Sequence, residues 1–169
     1  MPQLDIELDP AWPADRDWAE LAMRAAQALA KLVPELANPR LQASLLFADD
    51  TEVHALNHEW RGKDKPTNVL SFPMLTREDL LALSPEGPPE LLGDLALALE
   101  TCQREAAEKG VSLDHHAAHL IVHGLLHLAG YDHELSPDDA RAMESLEIKA
   151  LAQLGIADPY GDHDDIQGL

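Results

Sequence analysis

Two periodicities of hydrophobic and polar residues run along the chain, and they separate predicted strands from predicted helices. Alternation with a period of two, or a short apolar run, predicts strands over residues 3–8, 41–48, 69–72 and 91–99. A period near 3.6 predicts helices over residues 15–33, 49–60, 100–109, 113–129 and 137–154. Three prolines and a glycine within residues 85–89 predict a surface loop over residues 76–90. In the helix at 49–60 we expect Val53, Leu56 and Trp60 to face inward.

The apolar helix at 113–129 carries histidines in a metal-binding pattern. His123 and His127 are four residues apart, which places them on one helix face about one turn from each other. Gly130 suits a helix end in the left-handed conformation, after which the chain can turn back and present His133. Three imidazole ligands leave the fourth position of zinc open, as in catalytic zinc sites. The spacing therefore predicts one Zn²⁺ ion per chain, held by His123, His127 and His133.

This histidine spacing is also that of the metzincin protease signature, with one departure. The signature places a glutamate directly after the first histidine, and that glutamate activates the attacking water. The chain has Gly124 at this position. We therefore favour a zinc hydrolase of another kind, and a metallopeptidase-like hydrolase remains the alternative.

Other polar residues admit more than one role. His119 lies four residues before His123 and competes with it as a metal ligand by spacing alone, although the turn after the helix favours the first set. His54 and His58 are also four apart, and we interpret them as a solvated helix face. Asp94 is either a solvent-facing strand residue or a carboxylate that orients a ligand histidine.

Length and composition predict one domain. The 169 residues are enough for a single core over residues 1–160, and the acidic residues 161–169 are predicted to form a flexible tail. A single cysteine, Cys102, excludes an internal disulfide and fits a reducing compartment. No apolar run approaches the ~20 residues that cross a bilayer, and the first ten residues are too acidic for a signal peptide. We expect a cytoplasmic protein without a membrane partner.

The charge distribution limits the kinds of partner. A net charge of −19 disfavours non-specific binding to nucleic acid, because that binding depends on clustered lysines and arginines. The densest basic cluster is Arg61, Lys63 and Lys65, within the segment RGKDK. An acidic surface with one local basic point favours recruitment by a partner over tight independent binding.

Four segments together resemble one known family. These are LNHEWRGKDKPTNVLSFP, LLGDLALAL, HLIVHGLLHLAGYDH and the MESLEIKALAQLGIADPY run, and in this order they resemble the bacterial YbeY family over roughly residues 45–160. The resemblance implies a compact α/β domain with a small mixed sheet of four strands flanked by helices. The chain departs from the family at Asn68, where the pattern usually has an aspartate between Thr67 and Val69.

The resemblance also implies an activity and a partner. It implies a metal-dependent endoribonuclease specific for single strands, which acts in 16S rRNA 3′-end maturation and ribosome quality control. The zinc ligands would be His123, His127 and His133, and Arg61 would be the functional arginine. Lys63 and Lys65 are weaker candidates for phosphate contacts. The expected partners are rRNA and the small ribosomal subunit, reached through recruiting proteins, with no DNA partner.

Two questions stay open at this level. A non-catalytic ribosome-assembly factor with a structural metal is a second alternative to the nuclease. For the general acid that protonates the leaving oxygen, Asp132, His119 and a metal-bound water are all candidates.

Overall fold

The protein is described by a computed structural model, which covers residues 1–62, 67–131 and 136–160 and leaves out the side chain of Arg61. The strands are β1 (Gln3–Leu8), β2 (Leu41–Ala48), β3 (Val69–Pro73) and β4 (Glu90–Ala98). The helices are α1 (Trp18–Leu32), α2 (Asp50–Arg61), α3 (Arg77–Ala82), α4 (Leu99–Lys109), α5 (Leu113–Leu128) and α6 (Pro137–Gln153), with a 3₁₀ turn at Pro34–Ala37.

The four strands form one mixed sheet in the order β1-β2-β4-β3. Strands β1, β2 and β4 are parallel, and β3 pairs antiparallel with β4 at one edge. The predicted fold, an α/β domain with a small mixed sheet flanked by helices, is therefore confirmed. None of the helices in the described residues is long and apolar enough to span a membrane.

The two faces of the sheet are covered unequally. Alternate residues of β2 point to opposite faces, so that Phe47 enters the main core while Ser44 lies on the other face. Helix α5 packs directly on β3 and β4, and α1 and α6 pack against α5. Helix α2 packs on the opposite face through Val53, against Leu70 and Ala96 of the sheet. A histidine on α5 therefore has the sheet on one side and another helix on the other.

Two local predictions are wrong. Trp60 was expected inward, but its side chain is 68% exposed, because the last turn of α2 borders an open groove lined by the acidic residues of β1. The segment 76–90 is not only loop, because its first half forms α3. Thr76 caps this helix, with its hydroxyl accepting a 3.0 Å hydrogen bond from the Asp79 N–H. The predicted tail at 161–169 lies outside the described residues.

Candidate metal centre

Helix α5 has well-defined ends that fix where its histidines lie. The Ser112 side chain accepts a hydrogen bond from the His115 N–H at the start of the helix. At the other end Gly130 has φ +96°, its N–H bonds the His127 carbonyl, and the Tyr131 N–H bonds the Leu126 carbonyl. This pattern is a Schellman motif, so the predicted left-handed turn at Gly130 is present.

Arg77 holds this turn from outside the helix. Its guanidinium donates 2.7 Å to the Ala129 carbonyl and 2.9 Å to a Glu35 carboxylate oxygen, and it lies 4.5 Å from the centre of the Tyr131 ring. A Cβ atom at Gly130 would approach Arg77 Cβ to 2.5 Å. Position 130 therefore requires glycine for its backbone angle and for its contact with Arg77.

The residues around α5 differ in how deeply they are buried. His116 and His119 are buried, whereas His123 and His127 are half-buried. Gly124 faces the sheet, where an added Cβ would lie 2.7 Å from Leu95 Cδ2. The position that carries a glutamate in metzincins is thus used here for close packing of α5 on β4.

The ring of His127 is fixed from the sheet. Ser71 lies on β3, and its hydroxyl oxygen is 2.5 Å from His127 Nδ1. A hydroxyl can donate to Nδ1 or accept from Nδ1–H, so this contact fixes the orientation of the ring; in the tautomer that donates from Nδ1–H, the lone pair is on Nε2, the nitrogen that can bind a metal. Ser71 therefore occupies the position relative to His127 that an outer-shell partner takes beside a metal-binding histidine.

The ring of His123 is fixed from the other side, by α6. His123 Nδ1 lies 3.2 Å from Glu147 Oε2, and the Glu147 side chain is only 1% exposed. Burial alone would raise the pKa of Glu147, but its hydrogen bonds with His119 and His123 outweigh that effect and lower the pKa to about 2. Glu147 is thus ionised at neutral pH and accepts hydrogen bonds only.

The His119 ring faces the carboxylate of Glu147 as well. Its Nε2 is 2.7 Å from Glu147 Oε1 and 3.2 Å from the Tyr160 hydroxyl. Its Nδ1 is buried and finds no hydrogen-bond partner among the described residues. Both ring nitrogens of His119 therefore point to surroundings that do not fit a metal ligand.

The donor set that the structure describes fits a zinc site in part. His123 and His127 offer two imidazole nitrogens from one helix face, each ring held at Nδ1. Residues 1–62, 67–131 and 136–160 contain no group of three His, Cys, Asp or Glu side chains close enough to hold a metal. The predicted third ligand, His133, lies outside these ranges, as does Asp132.

The predicted substrate-binding residues fall mostly outside the description. Arg61 is the last residue of α2, directly before Gly62 in the left-handed conformation, and Lys63 and Lys65 lie outside the described residues. Asn68 donates a 3.0 Å hydrogen bond to Glu105, which also contacts His116 at 2.8 Å. The residue that departs from the family pattern therefore joins β3 to α4.

Asp94 does not orient a ligand histidine. Its side chain hydrogen-bonds the Ser44 hydroxyl, on the face of the sheet opposite to α5. Among the described residues, Ser71 and Glu147 contact the candidate ligands, and neither contact was predicted. For Glu147 a signal was present, because it occupies the inward stripe of α6, four residues after Met143. A charged residue in an apolar stripe indicates a buried partner.

The fold and the site together define an α/β protein with a candidate metallohydrolase centre on a buried helix. The family model described as endoribonuclease YbeY matches residues 11–155, and the chain belongs to this family. It is 61% identical to the endoribonuclease YbeY of Novosphingobium aromaticivorans, over 96% of this chain and 98% of that one. It is 62% identical to that of Erythrobacter litoralis, over 95% and 98%. The resemblance to the YbeY family is confirmed.

A solved structure supports the fold independently. The solution structure of TM1509 from Thermotoga maritima matches with a TM-score of 0.59 and 21% identity, covering 96% of this chain and 93% of that one. At the level of the family, the chain is a member of a group of enzymes named for cleaving RNA internally, which makes it a hydrolase.

Proposed function

We propose that the chain is a zinc-dependent, single-strand-specific endoribonuclease that acts in 16S rRNA 3′-end maturation and ribosome quality control. The observation that carries the proposal is the pair of half-buried imidazoles on α5. Ser71 and Glu147 contact their Nδ1 atoms and orient the two rings, which lie one helical turn apart on the same face of α5. In this proposal His123 and His127 are two ligands, and His133 is the third.

The chemistry divides between the ion and the protein. Zinc, when bound, supplies Lewis acidity that acts on a phosphodiester and on a water molecule. The chain contributes rigid ligands, a partly dry surrounding and, in the proposal, Arg61 as the group that binds the scissile phosphate. Lys63 and Lys65 are proposed as additional phosphate contacts. His119 is disfavoured as general acid, because it is 7% exposed and its Nε2 faces Glu147.

The alternative of a metallopeptidase loses support at Gly124. The peptidase base would have to occupy a position that faces Leu95 of the sheet. A peptide library offered to the zinc-loaded protein tests this alternative directly. Cleavage of peptides at a rate comparable with that of single-stranded RNA would favour the peptidase.

The first test removes one ligand at a time. His123→Ala and His127→Ala are compared with His115→Ala, an exposed histidine at the start of the same helix. All four proteins are purified identically and assayed on a single-stranded RNA that carries the 3′ end of 16S rRNA, with a duplex of the same sequence as control. We expect both ligand variants to lose at least about 100-fold in rate and the control to keep its activity. Equal cleavage by a ligand variant and the wild type would refute the nuclease assignment.

A second test separates a catalytic metal from a structural one. Chelation should abolish cleavage while the melting temperature changes little, and added zinc should restore the rate. A sharp fall in melting temperature together with no cleavage by the zinc-loaded protein would favour the non-catalytic assembly factor. For the phosphate contact, Arg61→Ala should reduce the rate, whereas Arg24→Ala, an exposed arginine on α1, should not.

Recruitment to the small ribosomal subunit is proposed to use the groove on the α2 face of the sheet. The groove has a volume of about 360 Å³ and combines acidic Asp5 and Glu7 with the exposed side chains of Trp60 and Met74. This combination suits a positively charged segment with apolar side chains from a recruiting protein. Charge reversal of Asp5 and Glu7 should weaken co-sedimentation with small subunits, and Glu20→Lys on α1 serves as the control. Unchanged co-sedimentation would exclude this surface.

A further inference from the structure

We propose that Glu147 is a positioning residue of the metal centre and that Tyr160, from the segment after α6, holds it in place. The inference rests on the proposed metal site and concerns its outer contacts. It assigns to α6 and to the chain that follows it the task of aiming His123.

The geometry links four side chains through one carboxylate. Glu147 Oε2 accepts from His123 Nδ1, while Oε1 accepts from His119 Nε2 at 2.7 Å and from the Tyr160 hydroxyl at 2.8 Å. Because His123 Nδ1–H donates to Glu147, the lone pair of the ring is on Nε2 and points in a direction that this hydrogen bond fixes. The carboxylate therefore sets both the tautomer and the orientation of the ligand.

A purely structural role does not explain a carboxylate at this place. The other buried residues of α6 are apolar, namely Met143, Ala150 and Leu151. Removing a carboxylate from water is unfavourable unless several donors compensate, and a well-packed apolar residue usually serves stability equally well. The need to orient a ligand would explain why α6 carries a buried carboxylate despite the cost of removing it from water.

Tyr160 completes this arrangement from outside the helices. Its hydroxyl donates to Glu147, and its ring lies edge-on to the His119 ring, with 5.4 Å between the centroids. Without the hydroxyl, Oε1 keeps only His119 as a donor among these contacts. The carboxylate would then be less firmly held, and the effect on His123 should be smaller than that of altering Glu147 itself.

The experiment measures zinc affinity and metal-free stability in the same proteins. The variants are Glu147→Gln and Tyr160→Phe. The matched control is Glu144→Gln, which removes the same charge from the same helix at a partly exposed position one turn earlier. Zinc affinity is measured by competition with a chromophoric chelator, and the visible spectrum of the cobalt-substituted protein reports the geometry of the ligands.

We expect Glu147→Gln to bind zinc about 10- to 100-fold more weakly and to show a changed cobalt spectrum. Tyr160→Phe should bind about 3- to 10-fold more weakly, which is the effect of losing one hydrogen bond. The control should stay within twofold of the wild type. The melting temperature of metal-free Tyr160→Phe should differ little from that of the wild type.

The outcomes separate this inference from the proposed function. If the wild type binds zinc and Tyr160→Phe and Glu147→Gln bind it equally well, Glu147 is not a positioning residue and the metal site stands. If both variants lose metal-free stability but not affinity, their role is structural and the inference is wrong. If Glu147→Gln does not fold, the affinity of Tyr160→Phe alone decides. If the wild type binds no zinc, the proposed metal site fails and this inference fails with it.

Discussion

A substitution of Gly124 tests whether α5 packs closely against β4. Replacing it with alanine adds a single methyl group at a buried position of the helix. The added Cβ would lie 2.7 Å from Leu95 Cδ2 and 3.1 Å from Leu95 Cδ1. Both distances are shorter than van der Waals contact, and Leu95 is 2% exposed, so that it has little room to move.

Two opposing effects set the magnitude. Alanine stabilises a helix interior by roughly 1 kcal/mol relative to glycine. Overpacking of a filled core destabilises by about 1–3 kcal/mol. We therefore expect Gly124→Ala to lower the free energy of unfolding by up to about 2 kcal/mol. In a Leu95→Ala background the clash is absent, and the same substitution should stabilise the protein by about 1 kcal/mol.

The assay is urea unfolding of the metal-free proteins, followed by circular dichroism, for all four members of the cycle. Leu95→Ala alone should destabilise by about 2–5 kcal/mol, as truncation of a buried leucine does. The coupling between the two sites should be about 1–3 kcal/mol. If Gly124→Ala has the same effect in both backgrounds, close packing against Leu95 is not the reason for glycine at this position.

Three further predictions concern the surroundings of the centre. Ser71→Ala should weaken zinc binding about 10- to 100-fold in a chelator competition, because His127 loses its Nδ1 partner, and unchanged affinity would contradict this. Burial raises the pKa of the Cys102 thiol to about 12, so Ellman's reagent at pH 8 should label it only in denaturant, and rapid labelling of the folded protein would show the thiol to be accessible. Burial lowers the pKa of His116 below 6.5. Burial alone would raise the pKa of Glu105, but the hydrogen bond between Glu105 and His116 lowers it below 4.5. Both groups then bind protons more readily in the unfolded chain, so the metal-free protein should lose stability as the pH falls below about 6.5. The measurement is the urea midpoint of unfolding from pH 7.5 to 4. In His116→Gln the midpoint should fall less steeply just below pH 6.5, and an unaltered profile would assign the loss of stability to other groups.

Periodicity predicted most of the fold because it is a local property of the sequence. The strand at Leu41–Ala48 and the helix at Leu113–Leu128 each follow from a pattern among residues a few positions apart. Helix α3 was missed because the prolines that follow it dominated the pattern of a short segment. Trp60 fits the helical period, but its exposure depends on the groove beyond α2, which no local pattern encodes.

The candidate site could be predicted only as far as one helix carries it. The spacing of His123 and His127 is visible within five residues of sequence. Their partners are not, because Ser71 is 56 residues from His127 and Glu147 is 24 residues from His123. These contacts exist only when β3 and α6 pack on opposite sides of α5, which is a property of the tertiary fold.

The same chain shows why spacing alone does not make a metal centre. His54 and His58 on α2 have the same separation, yet His58 is exposed to solvent, where an imidazole keeps more rotamer freedom than a buried one. His123 and His127 differ because each ring contacts a side chain from another layer of the fold. His123 contacts a carboxylate of α6, and His127 contacts a hydroxyl of the sheet. The orientations of both rings are then fixed on folding, before any ion binds. Metal binding therefore does not bear the entropic cost of ordering the two side chains. It follows that substitutions in β3 or α6 should alter metal affinity as strongly as substitutions on α5 beside the histidines, even though the histidines themselves are unchanged.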